Sequence, residues 1–95
     1  MYDVEKFIEK FQSTGNNDIF AGDCSYWFAV IVHRRFIRNG AKVMFDMATN
    51  HFGTMVYGKV YDITGNVTSK YEWVPWLELQ DFSVKENVTK RYIMF

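Results

Sequence analysis

The spacing of apolar residues changes twice along this chain, and each change marks a change of element. Val4, Phe7, Ile8 and Phe11 fall at i, i+3, i+4 and i+7, one face of an amphipathic helix. The stretch Ser13-Thr14-Gly15-Asn16-Asn17-Asp18 then interrupts with loop chemistry, and Ile19 and Phe20 sit as apolar anchors behind it. From Tyr26 to Val32 every position is apolar, which predicts a helix buried on all sides. Polarity returns at His33, Arg34, Arg35 and Arg38, and Asn39-Gly40 follows. A glycine after a basic last turn is a helix stop, so the predicted helix runs from about 24 to 38.

Beyond Gly40 the period falls to two. Residues 42–46, 51–57 and 59–63 read as strands, the last two joined as a hairpin around Gly58. Ser69 to Trp73 reads as a short extended piece, and Pro75 is placed to open a short helix from Trp76 to about Phe82. Residues 89–95 are expected to form a last strand. The order helix, helix, strands, short helix, strand predicts an α+β fold. A central buried helix packs on a small antiparallel sheet built from about 42–46, 51–57, 59–63 and 89–95. With no internal repeat and no linker, residues 1–95 are read as a single compact domain.

Composition narrows the function classes. The 95 residues are 48% hydrophobic and 19% aromatic, enough to build a core in a short chain. Eleven basic residues balance eleven acidic ones, which argues against a nucleic-acid partner. A lone cysteine excludes an internal disulfide framework. The opening MYDVEKFIEKF alternates charged and apolar residues and lacks the apolar stretch of a secretion signal. The run Tyr26–Val32 is far short of the roughly 20 residues of a membrane span. The expected setting is therefore cytoplasmic and reducing, with no membrane partner. Gly53, Gly58 and Gly65 look like hairpin and turn glycines rather than a phosphate loop, and His33, His51 and Cys24 lack metal-site spacing. No cofactor and no metal are expected.

The chemistry that stands out surrounds Cys24, at the predicted first turn of the buried helix. Unpaired backbone N–H groups and the positive end of the helix dipole favour a thiolate there, and the same N–H groups can stabilise an oxyanion. Taken alone, Cys24 reads as a small buried apolar residue, and the catalytic reading depends on the partners that follow. His33 lies about two and a half helical turns away, roughly 13 Å by rise, and is a poor partner. His51 is better placed. If Tyr57-Gly58 is a two-residue turn, Val56 opposes Lys59, Met55 opposes Val60 and Gly53 opposes Asp62. His51 and Asp62 then share a face as diagonal neighbours, with Gly53 leaving space between them. A carboxylate there fixes the imidazole tautomer and leaves the second nitrogen for a thiol. Asp62 has a competing role as the first residue of the turn Asp62-Ile63-Thr64-Gly65.

The order of Gly22-Asp23-Cys24-Ser25-Tyr26-Trp27-Phe28-Ala29, then His51-Phe52 opening a strand, then Val60-Tyr61-Asp62 on the next, resembles the core of papain-like and transglutaminase-like cysteine hydrolases. The resemblance covers about residues 16–65 and rests on order and setting. It implies a papain-like core with Cys24 as nucleophile, His51 as base and Asp62 orienting it. The implied reaction is acyl transfer on a peptide, isopeptide, amide or thioester bond of a protein or peptide substrate. Papain-like enzymes carry a Gln ahead of the nucleophile for the oxyanion; this chain has Asn16, Asn17 and Asp18 there, and Asn17 is the nearest chemical stand-in. The chain is also much shorter than typical members, without the insertions that build their clefts.

Two further groups suggest a different class. Arg34, Arg35, Arg38 and Lys42 form a basic patch, ordinarily a solvated helix end and more sharply a docking surface for an acidic partner. Tyr71, Trp73 and Trp76 cluster around Pro75 as core, as a lid, or as a substrate or protein interface. On those features the alternative is a non-enzymatic, phage-type or accessory binding protein that occupies a partner's surface. The sequence leaves the oligomeric state open.

Overall fold

A computed structural model describes residues 2–13, 25–78 and 82–93. Among them are three α-helices, α1 (Tyr2–Gln12), α2 (Ser25–Arg35) and α3 (Phe82–Val88). Five strands, β1 (Lys42–Asp46), β2 (His51–Val56), β3 (Lys59–Asp62), β4 (Gly65–Asn66) and β5 (Val74–Pro75), make one antiparallel sheet in the order β4-β3-β2-β1-β5. The fold is α+β, with the apolar helix on the sheet. The helix is not buried on all sides as its pattern predicts, because only the Ser25, Phe28, Ala29 and Val32 side meets the sheet and Trp27, on the outer side, is 39% exposed. No described helix is long and apolar enough to cross a membrane.

Strand alternation sorts the side chains onto two faces. Phe45, Phe52, Val56, Tyr61 and Ile63 point toward the helices, where Phe28, Ala29 and Val32 of α2 and Val4 and Ile8 of α1 meet them, all nearly inaccessible. Phe7 and Phe11 complete the apolar stripe of α1, edge-on to Phe36 and Phe28 with centroids 5.7 and 5.4 Å apart. Two buried polar bonds fix α2 on the sheet. The Thr54 hydroxyl donates to the Ala29 carbonyl (2.8 Å), and the Phe52 N–H donates to the Ser25 hydroxyl (3.3 Å). The reverse face carries Met44, Val60 and Val67, with Met55, Tyr71 and Trp73 packed against them.

The hairpin has the register its turn predicts. Val56 pairs with Lys59, Met55 with Val60 and Thr54 with Tyr61. Tyr57 and Gly58 both adopt positive φ (53° and 78°), the backbone of a two-residue turn whose twist matches the strands. Asn39 Nδ2 donates to the Tyr57 hydroxyl at 2.5 Å, tying the end of the helical region to the hairpin tip.

Three boundaries depart from the sequence pattern. The buried helix ends at Arg35 rather than 38, because Phe36 turns inward (3% exposed) and a 3-10 turn, Ile37–Asn39, reverses the chain into Gly40 at φ 74°. Of the helix expected from Trp76 to about Phe82, Trp76–Glu78 forms a 3-10 turn and Phe82 opens α3, which runs on to Val88 where no element was expected; residues 79–81 lie outside the described residues. Where a strand was expected over 89–95, Thr89–Ile93 is a π-helical turn continuing α3, and residues 94–95 lie outside the described residues. Val84, Val88 and Ile93 pack on the core from one side of this helical segment, and the Glu86–Lys90 pair (3.0 Å) spans one of its turns, so burial follows a helical spacing. The edge of β1 is instead filled by β5, where Pro75 sits at the sheet margin that tolerates a missing N–H.

Candidate functional site

The most developed polar constellation among the described residues is built on the starts and ends of β1, β2 and β3. His51 opens β2 directly across from Asp46, the last residue of β1. Asp62 ends β3, one diagonal step from His51. His51 Nε2 and Asp62 Oδ2 are 2.8 Å apart, and both side chains are nearly inaccessible, at 10% and 6%. Two buried polar groups at that distance satisfy each other in a setting where an unpaired one is costly.

Asp62 serves two partners at once. Its Oδ1 accepts from the Thr64 N–H (2.8 Å) and the Thr64 hydroxyl (2.5 Å), while Oδ2 takes the imidazole. The turn role and the histidine-orienting role are therefore compatible, because a carboxylate has two oxygens and the turn occupies only one. Burial pushes the Asp62 carboxyl up, but the bonds from His51 and Thr64 and the charge of His51 outweigh it and hold the group below its usual range. Asp46, across from His51, is capped locally: its Oδ2 accepts from the N–H (3.1 Å) and hydroxyl (2.5 Å) of Thr49. Those bonds hold the tight turn that delivers Asn50, at φ 55°, to the start of β2.

Aromatic rings wall the imidazole. Tyr71 and Trp73 stand 5.1 and 6.0 Å from it, centroid to centroid, and 5.1 Å from each other. Trp73 anchors its indole N–H on the Val67 carbonyl (3.1 Å) and lays its ring over Gly53. A Cβ at Gly53 would come within 3.1 Å of that indole and 2.8 Å of Val60 Cγ1. The space that Gly53 leaves between His51 and Asp62 is thus occupied by Trp73.

The other residues singled out by sequence fall as follows. Cys24 and Asn17 lie outside the described residues. Ser25, the chain neighbour of Cys24, is buried and bonded to the backbone of Phe52, the chain neighbour of His51. Trp76 does not join Trp73. It fills the core on the opposite face of the sheet, 8% exposed, with Phe45 and Phe52 each 5.0 Å away. Arg34, Arg35 and Arg38 are exposed, with the Arg35 guanidinium 5.0 Å over the Phe36 ring. The sequence groups Tyr71 with the tryptophans rather than with His51, and gives Thr64 only as part of the Asp62 turn. Thr64 was legible from the Asp-x-Thr turn pattern, whereas Tyr71 carries no local signal for its place beside His51. Among the described residues no group of three His, Cys, Asp or Glu side chains is arranged to hold a metal ion. No protein family, characterised protein or solved structure matches this chain.

Proposed function

We propose that the chain is a small cysteine hydrolase of papain-like organisation, acting on a peptide, isopeptide, amide or thioester bond through Cys24, His51 and Asp62. The observation that carries this reading is the buried His51 Nε2–Asp62 Oδ2 bond on adjacent strands. A carboxylate bound to Nε2 keeps that nitrogen protonated and leaves Nδ1 as the nitrogen that can exchange a proton with a thiol. The Ser25–Phe52 bond supports it further, since it joins the start of the apolar helix to the start of the histidine strand.

In this reading Nδ1 of His51 accepts the Cys24 thiol proton as sulfur attacks the carbonyl carbon. The resulting oxyanion is met by the Cys24 backbone N–H and Asn17. The protonated imidazole then gives its proton to the departing amine or thiol, leaving a thioester on Cys24. Water, deprotonated by His51, cleaves that thioester and regenerates the thiol. The reading requires the thiol to reach Nδ1 around the end of the sheet, because α2 packs on the Phe52 face while the His51 ring lies on the reverse face.

The test is covalent trapping. The protein is incubated with an activated peptide ester, and its intact mass is followed. Wild type gains one acyl group and then loses it, Cys24→Ala gains none while keeping its fold, and His51→Ala acylates far more slowly. Equal acylation of His51→Ala and wild type, or no acylation of wild type, overturns the reading.

A further inference from the structure

The segment Arg34–Lys42 carries four cations, Arg34, Arg35, Arg38 and Lys42, and no acidic residue occurs anywhere from Ser25 to Phe45. All four are exposed, and among the described residues none forms an ion pair with a carboxylate. The helix dipole accounts for only part of this charge. Its effect is confined to the last turn, and α2 ends at Arg35, so Arg38 and Lys42 lie beyond it. Self-repulsion among clustered cations is unfavourable, and nothing described in the fold offsets it. Hydrogen bonds fix the course of the segment. The Ala41 and Gly40 N–H groups donate to the Phe36 and Ile37 carbonyls, and Asn39 is tied to Tyr57. Arg34 and Arg38 are four residues apart, one in the last turn of α2 and one in the 3-10 turn that follows, within reach of one extended acidic segment. Ile37 (58% exposed) lies between them in sequence, and Tyr57 (50% exposed) is joined to the segment through its bond from Asn39.

We propose that this face docks an acidic segment of a partner protein, with Arg34 and Arg38 binding carboxylates and Ile37 and Tyr57 receiving an apolar side chain. Guanidinium forks match carboxylates in paired hydrogen bonds, and arginine and tyrosine are enriched where protein interfaces concentrate their binding energy. A protein fits better than a nucleic acid. The chain has no net positive charge to draw a phosphate backbone. The proposal is independent of the Cys24 reading, since no residue of that site takes part.

The experiment is fluorescence anisotropy at low salt with three labelled probes: an oligoglutamate peptide with a central leucine, the same peptide with glutamine for glutamate, and an oligothymidylate of equal length. The acidic peptide is expected to bind, its glutamine counterpart to bind at least about ten-fold more weakly, and added salt to weaken the complex. Arg34→Gln/Arg38→Gln, which leaves the core untouched, should lose about ten-fold or more in affinity, and Lys70→Gln, elsewhere on the surface, should lose nothing. No binding of the acidic peptide, equal binding by the double variant, or tighter binding of the oligothymidylate each overturns the proposal. Unchanged circular dichroism of the double variant shows that its loss is local.

Discussion

Removing the Asp62 carboxyl tests how much the His51 pair contributes. Asp62→Ala deletes the acceptor of one bond from a nearly inaccessible imidazole (2.8 Å) and of two from Thr64 (2.8 and 2.5 Å). The imidazole cannot recover a partner from bulk water without moving Tyr71 and Trp73, so its unpaired nitrogen costs about 1–3 kcal/mol. The Thr64 groups are only part-buried and recover much of their loss from solvent, adding about 1 kcal/mol. The total is about 2–4 kcal/mol, on the order of 10–25 °C in melting temperature for a chain of this size. Asp62→Asn keeps an acceptor for Thr64 and a polar contact for the ring, and should cost about 1 kcal/mol. The dependence on pH separates charge from shape. The Asp62 carboxyl sits lower in the folded chain than its usual value, so its contribution is fully present above the unfolded value near 3.9 and lost as pH falls through the folded one. Urea unfolding at neutral pH and near pH 3 measures both. The wild type's margin over Asp62→Asn should narrow at the lower pH. A cost below about 0.5 kcal/mol for Asp62→Ala, or an Asp62→Asn gap unchanged between the two pH values, would refute the reasoning.

Other substitutions probe the supports of the site. Gly53→Ala places a methyl group 2.8 Å from Val60 Cγ1 and 3.1 Å from both Trp73 and the Tyr61 carbonyl; it should cost about 1–3 kcal/mol in thermal unfolding and change tryptophan emission. Ser25→Ala leaves the buried Phe52 N–H without its hydroxyl acceptor and should cost about 1 kcal/mol in chemical denaturation, with slower amide exchange at Phe52 than in wild type counting against the bond. Phe45→Ala empties the space among Phe52, Trp76 and α2 and should cost about 3–5 kcal/mol by urea unfolding, the largest of these effects.

What the sequence made legible follows from how local each signal is. The stripe of α1, the helical state of the α2 run and the Tyr57-Gly58 turn are set by near neighbours, and each appears where its pattern put it. That only one side of α2 is buried, with Trp27 exposed, depends on what packs against it. The turn then fixed the register, and the register alone placed His51 beside Asp62. The C-terminal segment was misread because its few apolar residues suit either period; only the core presented by Phe45, Phe52 and Trp76 selects the helical spacing of Val84, Val88 and Ile93. The tryptophans misled for a related reason. Trp73 and Trp76 are close in sequence, but β5 lies between them and they end on opposite faces of the sheet. The wall of Tyr71 and Trp73 around His51 depends on a long connection folding back over the sheet, which no short-range pattern encodes.

The central claim is that Cys24 and His51 exchange a proton, and the rate of Cys24 alkylation by iodoacetamide as a function of pH measures this most directly. The account predicts that wild type reacts rapidly at neutral pH, with an inflection well below the value of about 8.5 for an ordinary thiol, and that His51→Ala returns the inflection toward that value. A wild-type thiol that stays inert until the protein is denatured, or one whose profile is unchanged by His51→Ala, would contradict it.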